Sequence, residues 1–132
     1  MASLSNKELI QIAKALVKVK KVSKSVYVGS VGCALLSKKQ NLYCGISIHA
    51  ACGVGTCAEH AAISSMLTAR EFDIERIVAV SSAGKVIPPC GRCRELMYQI
   101  NQKNYEQTKV ILSKSKSLKL KQLLPNPWQN AQ

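Results

Sequence analysis

The chain is poor in aromatics: one Trp, one Phe and four Tyr make up 5% of its 132 residues. Proteins that thread single-stranded nucleic acid stack bases on aromatic platforms, so this scarcity weighs against such a role. Acidic residues are also few, seven against nineteen Lys and Arg, which gives a formal charge of +12. No apolar run is long enough to span a bilayer, and Met1 to Glu8 lack the apolar stretch of a signal peptide. The expectation is a cytoplasmic protein with no membrane partner, whose thiols stay reduced. Internal repeats, low-complexity tracts and linkers are missing as well. Residues 1–132 are expected to form one domain, large enough to bury a core without disulfide staples.

What the chain has in excess is lysine. It gathers at Lys14, Lys18, Lys20, Lys21 and Lys24 near the start, and at Lys109, Lys114, Lys116, Lys119 and Lys121 near the end. Such runs can face nucleic acid. Without interleaved aromatics, a solvated surface that keeps the protein soluble is the simpler account. The six cysteines are read as three metal ligands and three free thiols, Cys33, Cys44 and Cys52.

Hydrophobic spacing sets the elements. Leu9, Ile12, Ala13, Leu16 and Val17 recur at helical intervals, predicting a helix from Ser5 to about Lys20. Ser5 with Glu8 fits a capping box, Leu4 with Leu9 a hydrophobic staple, and lysines at the far end suit the helix dipole. Val31–Leu36 and Leu42–Ile48 read as strands of a hairpin around Ser37–Asn41. A loop with Gly53 and Gly55 leads to a second helix from Cys57 to about Ala69. Ile77–Ser81 is a strand, and Pro88 and Pro89 hold off any helix until Cys90. A third helix, 91–101, and a strand, 110–112, follow. This order predicts helices sandwiching a mixed sheet.

Cys57-Ala58-Glu59 and, some thirty residues on, Pro89-Cys90-Gly91-Arg92-Cys93 carry the chemistry. Three thiols can hold zinc, and a catalytic zinc keeps one position open for water. Cys57 and Cys90 each open a predicted helix, where amides and dipole favour the thiolate. Three thiolates would leave the site negative. His60, Arg92 and Arg94, beside the ligands, are candidates to offset that by hydrogen bonding to sulfur. Glu59 is placed to take a proton from an acidified water and return it to a substrate. In a closed structural site His49, Cys52 or His60 would supply a fourth ligand. A redox reading of Cys90 and Cys93 leaves Cys57 and Glu59 unexplained.

These motifs resemble those of the zinc-dependent cytidine deaminase family. Val31-Gly32-Cys33-Ala34-Leu35-Leu36, Leu42-Tyr43-Cys44-Gly45 and the Thr56–Ile63 helix start are similar to its strands and ligand helix. Pro89–Arg94 is particularly similar to blasticidin-S deaminase, which also has arginine between these cysteines. Leu123-Leu124-Pro125 followed by Trp128 is similar to the family's C-terminus. The resemblance implies a three-layer α/β/α sandwich around a mixed sheet of about five strands. It implies one zinc ion per chain on Cys57, Cys90 and Cys93, with Glu59 as proton shuttle. Pro89 would lend its carbonyl to the departing amine, and Ala58 and Trp128 would touch substrate. A homotetramer acting on a small nucleoside or nucleobase is implied as well. Ser47 and His49 stand where the family usually places asparagine and glutamate against ribose. Serine is shorter than asparagine, and histidine cannot mimic a carboxylate that accepts two hydroxyl bonds.

Overall fold

Alternating apolar residues on two central strands give the chain two cores, one on each face of a single sheet. A computed structural model describes residues 3–128. Its helices are α1 (Asn6–Leu16), α2 (Ala58–Thr68), α3 (Gly91–Ile100), α4 (Asn104–Gln107) and α5 (Leu120–Leu123). The strands are β1 (Lys20–Lys21), β2 (Val26–Ser37), β3 (Leu42–Ala50), β4 (Ile74–Ser81), β5 (Val86–Ile87), β6 (Lys109–Ile111) and β7 (Ser117–Lys119). The five longer ones run β3-β2-β4-β6-β7, while β1 and β5, two residues each, pair with β2 and β4. Only β4 and β6 are parallel, so the sheet is mixed as expected, with two short strands added.

Successive residues of a strand point to opposite faces, and β2 shows it. Cys33 and Leu35 join Ala58, Ala62, Ile63, Met66 and Met97 under α2 and α3. Ala34 and Leu36 join Leu9, Ala13, Val78 and Val80 under α1. All four β2 residues are fully buried, as befits a strand covered on both sides. Gly45 lets β3 press against α2: a Cβ there would lie 2.5 Å from the Ala62 nitrogen and 2.6 Å from the Ala58 oxygen.

The capping box forms, with Ser5 Oγ accepting from the Glu8 amide at 3.1 Å and Glu8 Oε1 from the Ser5 amide at 3.0 Å. The first helix nevertheless stops at Leu16, one turn before the expected end. Val17 is already extended, the Lys18 amide donates to the Gly29 oxygen at 3.0 Å, and Lys20–Lys21 pair with Tyr27–Val28. The β-branched residues Val17, Val19 and Val22 favour that extended path. Of the lysines assigned to the helix dipole, Lys14 alone lies in the last turn. β2 likewise starts at Val26, five residues before the expected Val31, because residues 26–28 pair with β3 and Tyr27 and Val28 also pair with β1. Among the described residues, no helix is long and apolar enough to cross a membrane.

Candidate active site

Cys57 and Cys90 are the N-cap residues of α2 and α3, both with extended backbone. Their helices bring them together at one end of the sheet, and Cys93 follows one turn into α3. The three Sγ atoms lie within 4.8 Å of one another, with Cys57 and Cys90 at 3.5 Å. Tetrahedral zinc with Zn–S near 2.3 Å separates its sulfurs by about 3.8 Å, so the thiols fit that ion. Among the described residues no fourth histidine, cysteine or carboxylate joins the group. His49, Cys52 and His60 do not close the tetrahedron, and the set matches an open site. All six cysteines are unpaired.

Charge explains why these residues call for a cation. Burial raises the Cys57 thiol, and the neighbouring Cys90 raises it further. Cys93 is pushed far above the ordinary thiol range by burial and by the charges of Glu59, Cys57 and Cys90. Burial also acts upward on Cys90, but the first-turn amides of Cys93 and Arg92 and the two other thiols outweigh it and hold Cys90 low. Four potential anions repel one another here, and a divalent cation relieves that repulsion while drawing off the thiol protons. Glu59, in the first turn of α2 and only 4% exposed, has its carboxyl raised by burial against the smaller opposing pull of its own amide.

Cys57 and Cys90 open into a cavity of about 370 Å³, near the lower limit of about 300 Å³ for small-molecule pockets, while Cys93 is buried behind them. Val31, Ser47, His49, Thr56, Cys57, Ala58, Glu59, Cys90 and Arg92 are among its lining residues, so β3 brings both sequence-predicted polar residues to the wall. Ser47 is not a free hydroxyl. It accepts from the Val31 amide at 3.0 Å and bonds Ser30 Oγ at 3.1 Å, and Ser30 Oγ reaches His49 Nε2 at 2.8 Å. Tyr27 stacks on the imidazole, centroids 4.6 Å apart and rings 2° from parallel. Sequence reasoning missed Ser30 and Tyr27. The available signal was Gly29, since a glycine interrupting a strand pattern marks a bulge.

Residues 5–107 match the model of the cytidine and deoxycytidylate deaminase zinc-binding region. The chain belongs to that family. A curated cytidine deaminase of Halalkalibacterium halodurans is 34% identical over 71 residues, 53% of this chain and 54% of that one. The match thus spans about half the relative's length. The crystal structure of cytidine deaminase from Mycobacterium leprae superposes with a TM-score of 0.75 at 25% identity, covering 94% of this chain and 100% of that one. That of Burkholderia pseudomallei gives 0.73 at 26% identity, covering 93% and 98%. The deaminase fold is therefore shared along nearly the whole chain.

Within this family member, the side chains expected to support sulfur do other things. Arg94 Nε donates to the Pro89 oxygen at 2.7 Å and its Nη1 to the Leu123 oxygen at 2.9 Å, tying the loop before Cys90 to the C-terminal segment. It is a clamp on carbonyls, which suit a guanidinium better than a weakly accepting thiol. Arg92 lines the cavity with no protein partner among the described residues. His60 Nδ1 is buried without a partner and donates to no sulfur. The groups next to the Cys90 sulfur are instead the α3 amides. Pro88, rather than Pro89, lines the cavity. Trp128 is 59% exposed and lies outside the lining, its amide donating to Glu95 Oε1 at 2.8 Å.

Proposed function

We propose that this protein is a zinc-dependent hydrolytic deaminase that converts a cytosine nucleoside, cytidine or 2′-deoxycytidine, to its uracil form with release of ammonia. The observation that carries the reading is a buried carboxyl, Glu59, in a cavity walled by Cys57 and Cys90, whose thiols lie with that of buried Cys93 within 4.8 Å of one another. Cys57, Cys90 and Cys93 hold the ion. Zinc supplies Lewis acidity that brings the pKa of a water near neutrality.

Glu59 then does the proton work. It takes one proton from water as the oxygen bonds to the amine-bearing ring carbon, and delivers that proton to the adjacent ring nitrogen. It moves the second proton from the new hydroxyl to the amine as the C–N bond breaks. The products are the oxo ring and ammonia, and the carboxylate is restored. Its raised pKa suits a group that must both accept and donate. Ala58, whose amide lies in the unpaired first turn of α2, faces the ring.

Ammonia release from cytidine and 2′-deoxycytidine, measured beside Glu59→Ala, tests this. Turnover that survives in the variant overturns the mechanism. Blasticidin S forms a second arm, because Arg92 lines the cavity and stands between the two cysteines as in the blasticidin-S deaminases. Turnover of that nucleoside alone would assign detoxification in place of salvage. A homotetramer working in the cytoplasm completes the proposal, and sedimentation of the zinc-loaded protein checks its size.

A further inference from the structure

Past α1, the sheet carries a row of like charges. The helix packs over β2 and β4. On that same face the register runs Leu36, Arg76, Lys109, Lys119 across β2, β4, β6 and β7. Lys109 thus has Lys119 directly opposite on one side and Arg76 on the other. Like charges in direct opposition destabilise a sheet. Arg76 has Glu75 at 3.5 Å to offset its charge. The ammonium groups of Lys109 and Lys119 have no partner among the described residues. Glu106, whose carboxyl responds to Lys119, is already paired with Lys121 at 2.9 Å.

The row lines a cavity of about 540 Å³, inside the range of about 300–1,000 Å³ for small-molecule pockets. Asn6, Ser115, Ser117 and Gln122 complete its wall. The hydrogen bonds around it leave donors, not acceptors, at their ends. Arg76 Nη1 donates to Asn6 Oδ1 at 2.8 Å, and Asn6 Nδ2 donates to Ser117 Oγ at 3.2 Å. This relay runs one way and ends on the Ser117 hydroxyl hydrogen, which has no acceptor among the described residues. Gln122 repeats the pattern: its Oε1 accepts from the Lys119 amide at 2.9 Å, so its amino group remains to donate.

Two ammonium groups, an amide and a hydroxyl therefore border one space, and no carboxylate of the described residues lines it. Phosphoryl oxygens are anionic and only accept, which matches that donor set. No aromatic ring of the described residues lines the cavity either, so a base finds nothing to stack on. We propose that this cavity is a binding site for a polyphosphate, inorganic or the tail of a nucleoside triphosphate, recognised through its phosphates alone. Lys109, Lys119, Ser117 and Gln122 hold the anion, and Arg76 acts through Asn6 to orient the Ser117 hydroxyl. The site lies across the sheet from α2 and α3 and does not depend on the deaminase reading.

Backbone amide shifts of the zinc-loaded protein, titrated with tripolyphosphate, ATP and orthophosphate against sodium chloride of equal ionic strength, test this. Tripolyphosphate and ATP should give saturable shifts centred on Ser115, Ser117, Lys119 and Gln122, with dissociation constants within about threefold of each other. Orthophosphate spans fewer of the donors and should bind about tenfold more weakly. Lys109→Gln should weaken tripolyphosphate binding about tenfold. It also relieves the repulsion with Lys119, so the free variant should melt no lower than wild type. Lys114→Gln removes the same charge from the turn between β6 and β7, outside the lining, and should weaken binding by less than about threefold. Equal losses in the two variants would reduce the effect to diffuse charge and overturn the site. ATP binding more than about tenfold tighter than tripolyphosphate would overturn recognition by phosphate alone. The proposal also falls if chloride reproduces the shifts, if they centre on Lys14 to Lys24, or if none saturates by about 10 mM tripolyphosphate. Tighter capture of a single-stranded oligoribonucleotide than of ATP would assign the lysines to nucleic acid instead.

Discussion

The two faces of the sheet are equally dry and do different work. On the α1 face Leu9, Ala13, Leu36, Val78 and Val80 fill the layer, and the polar groups at its margin are settled. Arg76, for instance, donates to Asn6 Oδ1 at 2.8 Å and the Leu4 oxygen at 2.5 Å, anchoring the entry to α1. The α2–α3 face has a comparable apolar layer, yet α2 also carries Glu59 with its pKa raised and His60 Nδ1 with no partner. Buried polar groups are normally satisfied, and exceptions tend to mark functional sites. One face holds the fold. The other holds it and keeps chemistry in reserve.

The largest expected effect separates the faces outright. Glu59→Gln keeps the shape but removes a group that can exchange protons, so kcat should fall by about 10²–10⁴-fold. The buried charge it removes is one that burial disfavours. Thermal stability should therefore hold or rise, and zinc content should stay at one per chain. A variant that loses turnover only because it unfolds would make Glu59 a structural residue. Kinetics, melting and metal analysis of the same preparation distinguish the two.

Leu36→Ala probes the opposite face. Fully buried against α1, this side chain should cost about 2–5 kcal/mol when truncated. Zinc content and kcat/KM at low temperature should not change, because the sheet stands between it and the cysteines. Urea unfolding beside the ammonia assay checks both halves. A loss of activity larger than the loss of folded protein would show that the faces are coupled.

How far the site could be read from the sequence follows the same division between local and long-range effects. Cys57, Glu59 and Cys90 were legible because each owes its place to a helix start beside it in the chain, as did the Ser5–Glu8 capping box. Ser47 and His49 were legible as residues but not as a network. Their partners Ser30 and Tyr27 arrive through a bulge whose register depends on β3 and on the Lys18 oxygen facing Gly29. The end of α1 failed for the same reason, since pairing of Lys20–Lys21 with β2 decides it. Arg94 was assigned to sulfur from its nearness in sequence, whereas its carbonyl partners lie five and twenty-nine residues away.

A smaller effect concerns Glu71, a buried carboxylate that folding does use. Burial acts to raise it, but hydrogen bonds from Tyr43, Ser37 and Asn41 and the charge of Lys39 outweigh that and hold it below 4.5. Asn41 Nδ2 donates at 2.8 Å, and the Tyr43 hydroxyl donates to the same oxygen. A depressed folded pKa contributes stability that is present above the unfolded value and lost as pH falls through the folded one. Glu71→Gln should cost about 1.5–3 kcal/mol at neutral pH. The difference from wild type should then shrink as the pH drops below 4.5. A difference that stays constant with pH would mean shape, not charge, holds this corner.

The smallest expected effect lies at the entry to the α1 face, where the cap is exposed and local. Ser5→Ala removes the acceptor for the Glu8 amide and leaves an orphan donor at the helix start. Loss of such a cap costs about 1 kcal/mol. The Glu8 carboxyl, held below its ordinary value by the Ser5 amide and hydroxyl, should titrate closer to that value in the variant. Since α1 lies across the sheet from the cysteines, neither zinc content nor turnover should change. Urea unfolding combined with carbon-detected titration of Glu8 gives the two numbers together. A stability loss with no movement of the Glu8 titration would assign the effect to packing of Leu4 rather than to the cap.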